Sequence, residues 1–449
     1  MDTPICDFAR QYAESNTLRL HMPGHKGTAF LGMESLDITE IDGADSLYEA
    51  SGIILQSEAN ASRLFGCETF YSTEGSSQCI RAMLHMAMLY AKHSGRKPLI
   101  AAARNVHKSF LTAAALLDTD IVWLYPEHSA SYLSCILDAQ KLDALLQNTP
   151  QKPTAIYLTS PDYLGQQQNI QDISQVCHKH GALLLVDNAH GAYLKFLPQS
   201  QHPIDLGADI CCDSAHKTLP VLTGGAYLHI SPSAPPLFSR IARNALALFG
   251  STSPSYLILQ SLDAANSYLA QYRPILKNFS EEVEALKMHL QACGYCLYGQ
   301  EPLKITILTK PYGYTGDTLA GILLKEGIVC EFSDSDFLVL MLTPEIGDDG
   351  LQRLTEILLG IPKAKPIDKY PPQFRKRERC LSIRDALLSV PEVIPVTESC
   401  GRILASACVG CPPAVPILSC GERIDSNAIA CFQYYGIDSC EVVLESEEL

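Results

Sequence analysis

The sequence predicts an α/β fold, a mostly parallel sheet flanked by helices, followed by a smaller C-terminal domain. Three observations predict it. Between about residues 52 and 291, short apolar runs alternate with longer amphipathic stretches, the order that a parallel sheet with helical crossovers requires. After about residue 295 the pattern changes to short strands and amphipathic helices. The 449 residues, 47% hydrophobic and 18% charged, suffice for one sizeable core and two or three packed units.

The first thirty residues are mixed and polar, and His21-Met22-Pro23-Gly24-His25-Lys26-Gly27 within them reads as a shaped loop. Helices are expected over residues 52–65 and 78–92. In the second, Ile80, Met83, Leu84, Met88 and Leu89 fall on one face, directly after Ser72-Thr73-Glu74-Gly75-Ser76-Ser77. Strands follow over 98–103, 120–124, 154–159, 182–186, 208–212 and 225–230, with a helix over 171–180 between two of them. Residues 237–249, 255–269 and 275–291 read as helices, the first two separated by Gly250 and Pro254. In the smaller domain the clearest strands are 303–308 and 337–342. The expected division is an N-terminal arm and loop over 1–30, a large domain over 31–290 and a small C-terminal region over 291–449.

Lys and Arg number 34 against 49 Asp and Glu, a net charge of −15, which argues against general attraction to nucleic acid or an anionic membrane and tolerates a cationic substrate. The basic stretch 362–379 has few aromatics and reads as a solvated connector. Seventeen cysteines, Cys211 and Cys212 adjacent, with no apolar leader at the start, fit a reducing cytoplasm. No apolar run reaches the roughly 18 residues of a membrane span.

Two stretches carry the chemistry. In Leu183-Leu184-Leu185-Val186-Asp187-Asn188-Ala189-His190-Gly191 an apolar run ends in an acid, small residues and a histidine, as at the C-terminal edge of a parallel strand where sites collect. Asp187 alone reads equally as the cap of a turn. In Asp213-Ser214-Ala215-His216-Lys217-Thr218-Leu219-Pro220, Lys217 comes just after a strand in a polar knot. An amine held in such a pocket forms a Schiff base with an aldehyde cofactor once it loses a proton, whereas a lone lysine there reads as a surface residue. Together the two mean more, because Asp187 and Lys217 can reach opposite ends of one ring.

Pyridoxal 5′-phosphate needs an amine for its aldehyde, a carboxylate to keep its pyridine nitrogen protonated, and donors for its phosphate. The Gly75-Ser76-Ser77 turn at a helix start supplies N–H groups and hydroxyls, although the same stretch serves as an ordinary N-cap. His107, after the 98–103 strand, suits stacking on a cofactor ring or capping a helix. Cys400, Cys408, Cys411 and Cys420 include one Cys-x₂-Cys pair, open to a structural zinc site or to buried thiols; the thiol reading is preferred and no metal is expected. His21 and His25 are four apart, but Pro23 and Gly24 break the helix that would align them.

His21-Met22-Pro23-Gly24-His25-Lys26-Gly27, Asn105-Val106-His107-Lys108-Ser109, Asp187-Asn188-Ala189-His190-Gly191 and Ser214-Ala215-His216-Lys217-Thr218-Leu219, in this order, resemble the ornithine/lysine/arginine decarboxylase family. The likeness runs from about His21 to Glu422 and includes Glu398-Ser399-Cys400-Gly401-Arg402-Ile403 and Pro412-Pro413-Ala414. It implies a type I, aminotransferase-like pyridoxal-phosphate large domain with a smaller C-terminal α+β region, assembled as at least a homodimer. It also implies α-decarboxylation of arginine, lysine or ornithine to the amine and CO₂. Transamination, aldol cleavage and a noncatalytic scaffold are the alternatives.

On this resemblance Lys217 matches the Schiff-base lysine, Asp187 the partner of the pyridine nitrogen and His107 the ring-stacking histidine. His190 joins the cofactor set, Ser76, Ser77, Ser214 and His216 match phosphate-side positions, and Lys217 or His216 returns the proton to Cα. Thr252 and Ser253 are expected to approach the phosphate from a neighbouring subunit. Two departures stand out. Glu74 takes a place where the family often has Asn, and Ala414 replaces a Gly after paired prolines, which predicts a loop of altered shape. The N-terminal wing domain of longer members has no room before His21.

Overall fold

The computed structural model describes residues 1–126, 131–409 and 414–445. The chain folds as two compact units. One comprises Met1–Lys97, Thr154–Ile156 and Ile170–Lys277; the other comprises Pro98–Pro153, Tyr157–Asn169 and Asn278–Leu449. The strand Ala155–Thr159 contributes residues to both.

In the first unit, four strands lie in the order Glu68–Ser72, Ala226–Ile230, Ile210–Asp213, Leu183–Asp187. The last two run parallel, with Leu185 opposite Ile210, Val186 opposite Cys211 and Asp187 opposite Cys212. Ala226–Ile230 is antiparallel to both its neighbours, so one strand runs against the other three, which share a direction. Parallel return needs a long crossover, whereas the link from Asp213 to Ala226 holds only the one-turn helix Ala215–Thr218 and tight turns. Leu183–Asp187 and Ile210–Asp213 are buried along their whole length, which explains why they read as continuous apolar runs. Both end one residue beyond the apolar stretch expected from sequence, so each strand finishes in a carboxylate.

Helices Ile53–Phe65, Gly75–His93, Ile170–Lys179, Leu237–Ala247 and Tyr256–Leu269 lie within one or a few residues of expectation. The difference that matters is at Gly75. Its φ of +69°, which glycine adopts without a Cβ penalty, turns the chain out of Glu68–Ser72 and straight into the helix. Ser76 and Ser77 therefore form the helix's first turn instead of preceding it. The polar N-terminal stretch also contains a helix, Pro4–Glu14, opened by proline and burying Ile5, Cys6 and Ala9.

In the second unit, Leu99–Ala103 and Asp120–Leu124 pair in parallel across the helix Lys108–Leu117. A four-stranded antiparallel sheet runs in the order Phe332–Ser333, Phe337–Met341, Lys304–Leu308, Cys296–Tyr298, accompanied by helices Gly316–Lys325 and Gly347–Gly360. Pro391–Pro395 and Ser439–Val443 form a further antiparallel pair, and Val396, Leu404, Leu418, Ile424 and Phe432 make its core. Residues 362–378 carry no helix or strand, and Arg379 forms an isolated bridge with Glu422. Among the described residues no helix is long and apolar enough to cross a membrane.

Candidate active site

Because Leu183–Asp187 and Ile210–Asp213 are parallel, both finish on one edge of the sheet. Asp187 is buried there; its Oδ1 accepts the Ala189 N–H at 3.2 Å and lies 3.8 Å from the Cys212 thiol. Past this strand the chain turns to bring in His190, and past the other it makes the one-turn helix that carries His216 and Lys217. Lys217 Nζ and His190 Nε2 stand 2.9 Å apart, so the two stretches that carried the chemical reading in the sequence meet through their own side chains.

A second convergence lies at the start of Gly75–His93. Ser214 Oγ donates to Ser76 Oγ at 2.8 Å, with Ser77 next on the same turn. The Gly75 N–H is bound by Gly224 O at 2.7 Å, and a Cβ at Gly75 would come 3.9 Å from His216 Cε1. Hydroxyls, a helix N-terminus and an imidazole are thus assembled where an anion is favoured.

His216 Nδ1 is 2.9 Å from Gly225 O. A carbonyl only accepts, so Nδ1 carries the proton. Burial lowers the His216 pKa below the usual histidine range against the opposing hydrogen bond to Gly225, and the Lys217 charge adds to the lowering. The ring is therefore neutral, with Nε2 left as an acceptor.

Glu74 is exposed, and its carboxylate accepts the backbone N–H of Ser251. The acid is tied to the loop that carries Thr252 and Ser253, both exposed. His107 belongs to the second unit, where it is the N-cap of Lys108–Leu117: its Nδ1 accepts the Ser109 N–H at 3.2 Å and lies 2.9 Å from Ser109 Oγ. In the same unit Ala414 holds φ +54°, a left-handed conformation proper to glycine, and its carbonyl accepts the Lys108 N–H at 2.8 Å. The backbone there takes the form a glycine would take, although the residue is alanine.

His21 and His25 face different partners, Tyr12 OH at 2.6 Å and Asp37 Oδ2 at 3.2 Å. Cys400 is exposed, Cys408 half-buried and Cys420 buried, while Cys411, Pro412 and Pro413 lie outside the described residues. Among the described residues the grouping of possible metal ligands is His202, Cys211 and Asp213, all buried.

That grouping belongs to a network the sequence reading did not identify. Asp213 Oδ2 lies 3.1 Å from His202 Nε2 and 3.2 Å from His229 Nε2, and its Oδ1 accepts Asn188 Nδ2 at 2.7 Å. An acid at a strand end was visible in Cys211-Cys212-Asp213; nothing marked His202 or His229 as its partners.

An amine beside an imidazole, a buried strand-end carboxylate, two serine hydroxyls and a helix N-terminus are the donor set that pyridoxal phosphate requires, and they fit it within one unit. Comparison with known proteins agrees. Residues 3–293 match the family model described as Orn/Lys/Arg decarboxylase, major domain. The uncharacterized protein YaaO of Bacillus subtilis is 30% identical over 96% of this chain and 93% of its own length. An arginine decarboxylase of Halalkalibacterium halodurans is 28% identical over 95% and 92% respectively. The lysine decarboxylase LdcF of Francisella novicida superposes with a TM-score of 0.79 at 17% identity, covering 98% of this chain and 81% of that one. An alanine–glyoxylate aminotransferase of Nostoc superposes at 0.54 with 16% identity, covering 68% and 86%, which places the large domain in the aminotransferase-like type I fold.

Proposed function

As a member of the Orn/Lys/Arg decarboxylase family, this chain is a pyridoxal-phosphate-dependent decarboxylase of a basic amino acid, and we propose that arginine is its substrate and Lys217 the residue that carries the cofactor. The observation that supports the site is the Lys217–His190 contact beside the Asp187 strand end. The arginine reading is supported by the named relatives that match along almost their whole length, which are arginine decarboxylases. The lysine decarboxylase relative from Pseudomonas aeruginosa matches 60% of this chain and 36% of its own.

When bound, the cofactor supplies an aldehyde for the substrate amine and an electron sink for the bond that breaks. The chain supplies the rest. Asp187 holds a proton at the pyridine nitrogen, and burial strengthens that interaction. Ser76, Ser77, Ser214 and the N–H groups of Gly75–His93 hold the phosphate, with His216 at the same end. His190 keeps Lys217 Nζ in place and exchanges protons with it, which makes Lys217 the group that returns a proton to Cα. His216, neutral with Nε2 unprotonated, suits accepting better than donating.

A homodimer completes this reading, in the cytoplasm. Leu18, Leu20, Met22, Phe30 and Leu31 are exposed by 67–86%, a run of apolar side chains that a second copy of the chain would cover. The test is CO₂ and amine release by purified protein given pyridoxal phosphate and, separately, L-arginine, L-lysine and L-ornithine. Stoichiometric CO₂ and agmatine from arginine, lost in Lys217→Ala, is the expected result. Cadaverine or putrescine instead overturns the substrate, and keto acid instead of CO₂ overturns the reaction.

A further inference from the structure

Asp213 is the last residue of Ile210–Asp213 and is completely buried, yet it is a carboxylate with three donors around it. Both histidines approach the same oxygen through Nε2, at 3.1 and 3.2 Å, so both present N–H groups to it. His229 Nδ1 lies 2.9 Å from Thr69 Oγ1, which in turn donates to Cys67 O at 3.4 Å; a proton on Nδ1 completes that chain. His202 Nδ1 has no hydrogen-bond partner. The His229 pKa is raised, the Asp213 charge outweighing burial, and the Asp213 pKa is held low by the two imidazoles against its own burial. Phe65 packs on both rings, with centroids 4.4 Å from His229 and 5.6 Å from His202.

The other oxygen of Asp213 faces the neighbouring strand end. Ladder pairing stops at Asp187 opposite Cys212, with the Asn188 N–H on Cys212 O at 2.9 Å. One step further, the Asp213–Asn188 side-chain contact at 2.7 Å is what spans the two chains. Asn188 follows Asp187 directly, and Asp213 precedes Ser214 and the Lys217 turn.

We propose that Asp213, locked by His202 and His229, is a positioning residue that grips Asn188 and so sets the spacing between the carboxylate end of the cofactor platform, Asp187, and its Ser214–Lys217 end. This rests on the site reading given above. The grip, more than the charge, carries the effect. In Asp213→Asn the amide oxygen still accepts from both histidines, and its Nδ2 meets the Asn188 Oδ1, now without a partner, once the Asn188 amide turns over.

The test is equilibrium binding of pyridoxal phosphate to wild type, Asp213→Asn, Asp213→Ala and Asn188→Ala, read by the visible absorbance and circular dichroism of the bound cofactor, with urea stability measured alongside. Asp213→Ala and Asn188→Ala are expected to weaken binding roughly 10- to 100-fold and to reduce the circular dichroism at saturation, while Asp213→Asn stays within a few-fold of wild type. Wild-type binding by Asn188→Ala overturns the proposal, and so does an Asp213→Asn as weak as Asp213→Ala. If Asp213→Ala fails to fold, Asn188→Ala still decides. Borohydride reduction of wild-type holoenzyme followed by peptide mapping separates the two readings: a label absent from Lys217 refutes the site itself, whatever the variants do.

Discussion

Asp263, on the helix Tyr256–Leu269, holds the N-terminal helix to the first unit, and its removal should be felt there before anywhere else. Its Oδ2 accepts the N–H groups of Ile5 and Cys6 at 2.9 and 3.0 Å, two of the donors that the first turn of Pro4–Glu14 leaves unpaired. Its Oδ1 accepts Ser57 Oγ at 2.6 Å. Asp263→Ala leaves both N–H groups without an acceptor, at about 1–3 kcal/mol each, whereas the Ser57 hydroxyl can turn to Tyr71 OH, 2.8 Å away. The expected loss is about 2–6 kcal/mol. Asp263→Asn keeps one oxygen for the helix and turns its amide N–H to Ser57 Oγ, so its loss is expected at about 1–2 kcal/mol. Urea unfolding gives the totals, and amide hydrogen exchange over residues 4–14 shows whether the helix opens before the rest of the unit. Equal losses in the two variants, or unchanged protection of the helix in Asp263→Ala, would refute the argument that backbone donors at the helix start are what Asp263 serves.

Ala414→Gly relieves a left-handed alanine worth about 1 kcal/mol and returns part of this to the freer unfolded chain, so a gain of up to about 1 kcal/mol in urea stability is expected; a loss would show that the methyl group packs usefully. The raised His229 pKa gives a signed pH effect. Its stabilisation is complete below the unfolded-state value near 6.5 and is lost as pH rises through the folded-state value, so His229→Gln should flatten the decline of stability on the alkaline side; an identical slope would contradict the Asp213 pairing. Phe30→Asp with Leu31→Asp, at side chains 77% and 86% exposed, should convert a dimer to monomer in sedimentation without loss of helix content; a dimer that persists would remove this arm from the interface.

What could be read from the sequence followed the reach of each signal. Asp187 and Lys217 were legible because one ends an apolar run and the other follows shortly after one, and such a run announces a buried strand wherever it occurs. Ser76 and Ser77 were legible as residues but not as a first helical turn, because that depends on the φ of Gly75, which no periodicity reports. The antiparallel course of Ala226–Ile230 escaped for a similar reason: apolar content marks a strand and says nothing of its direction, which is set by the length of the link. His202 and His229 are the extreme case. They lie 11 residues before and 16 residues after Asp213 in the chain, and they meet because both imidazoles point at one buried oxygen. A lone histidine in an apolar strand, as His229 is in Ala226–Ile230, has no visible reason to be there until its carboxylate is found. Burial makes that reason compelling once seen, because Asp213 at 0% exposure is tolerated only with its donors in place, and neither imidazole nor carboxylate can be removed without stranding the other. The residues proposed to do the chemistry were therefore visible one by one, while Asp213, His202 and His229 became visible only as a set.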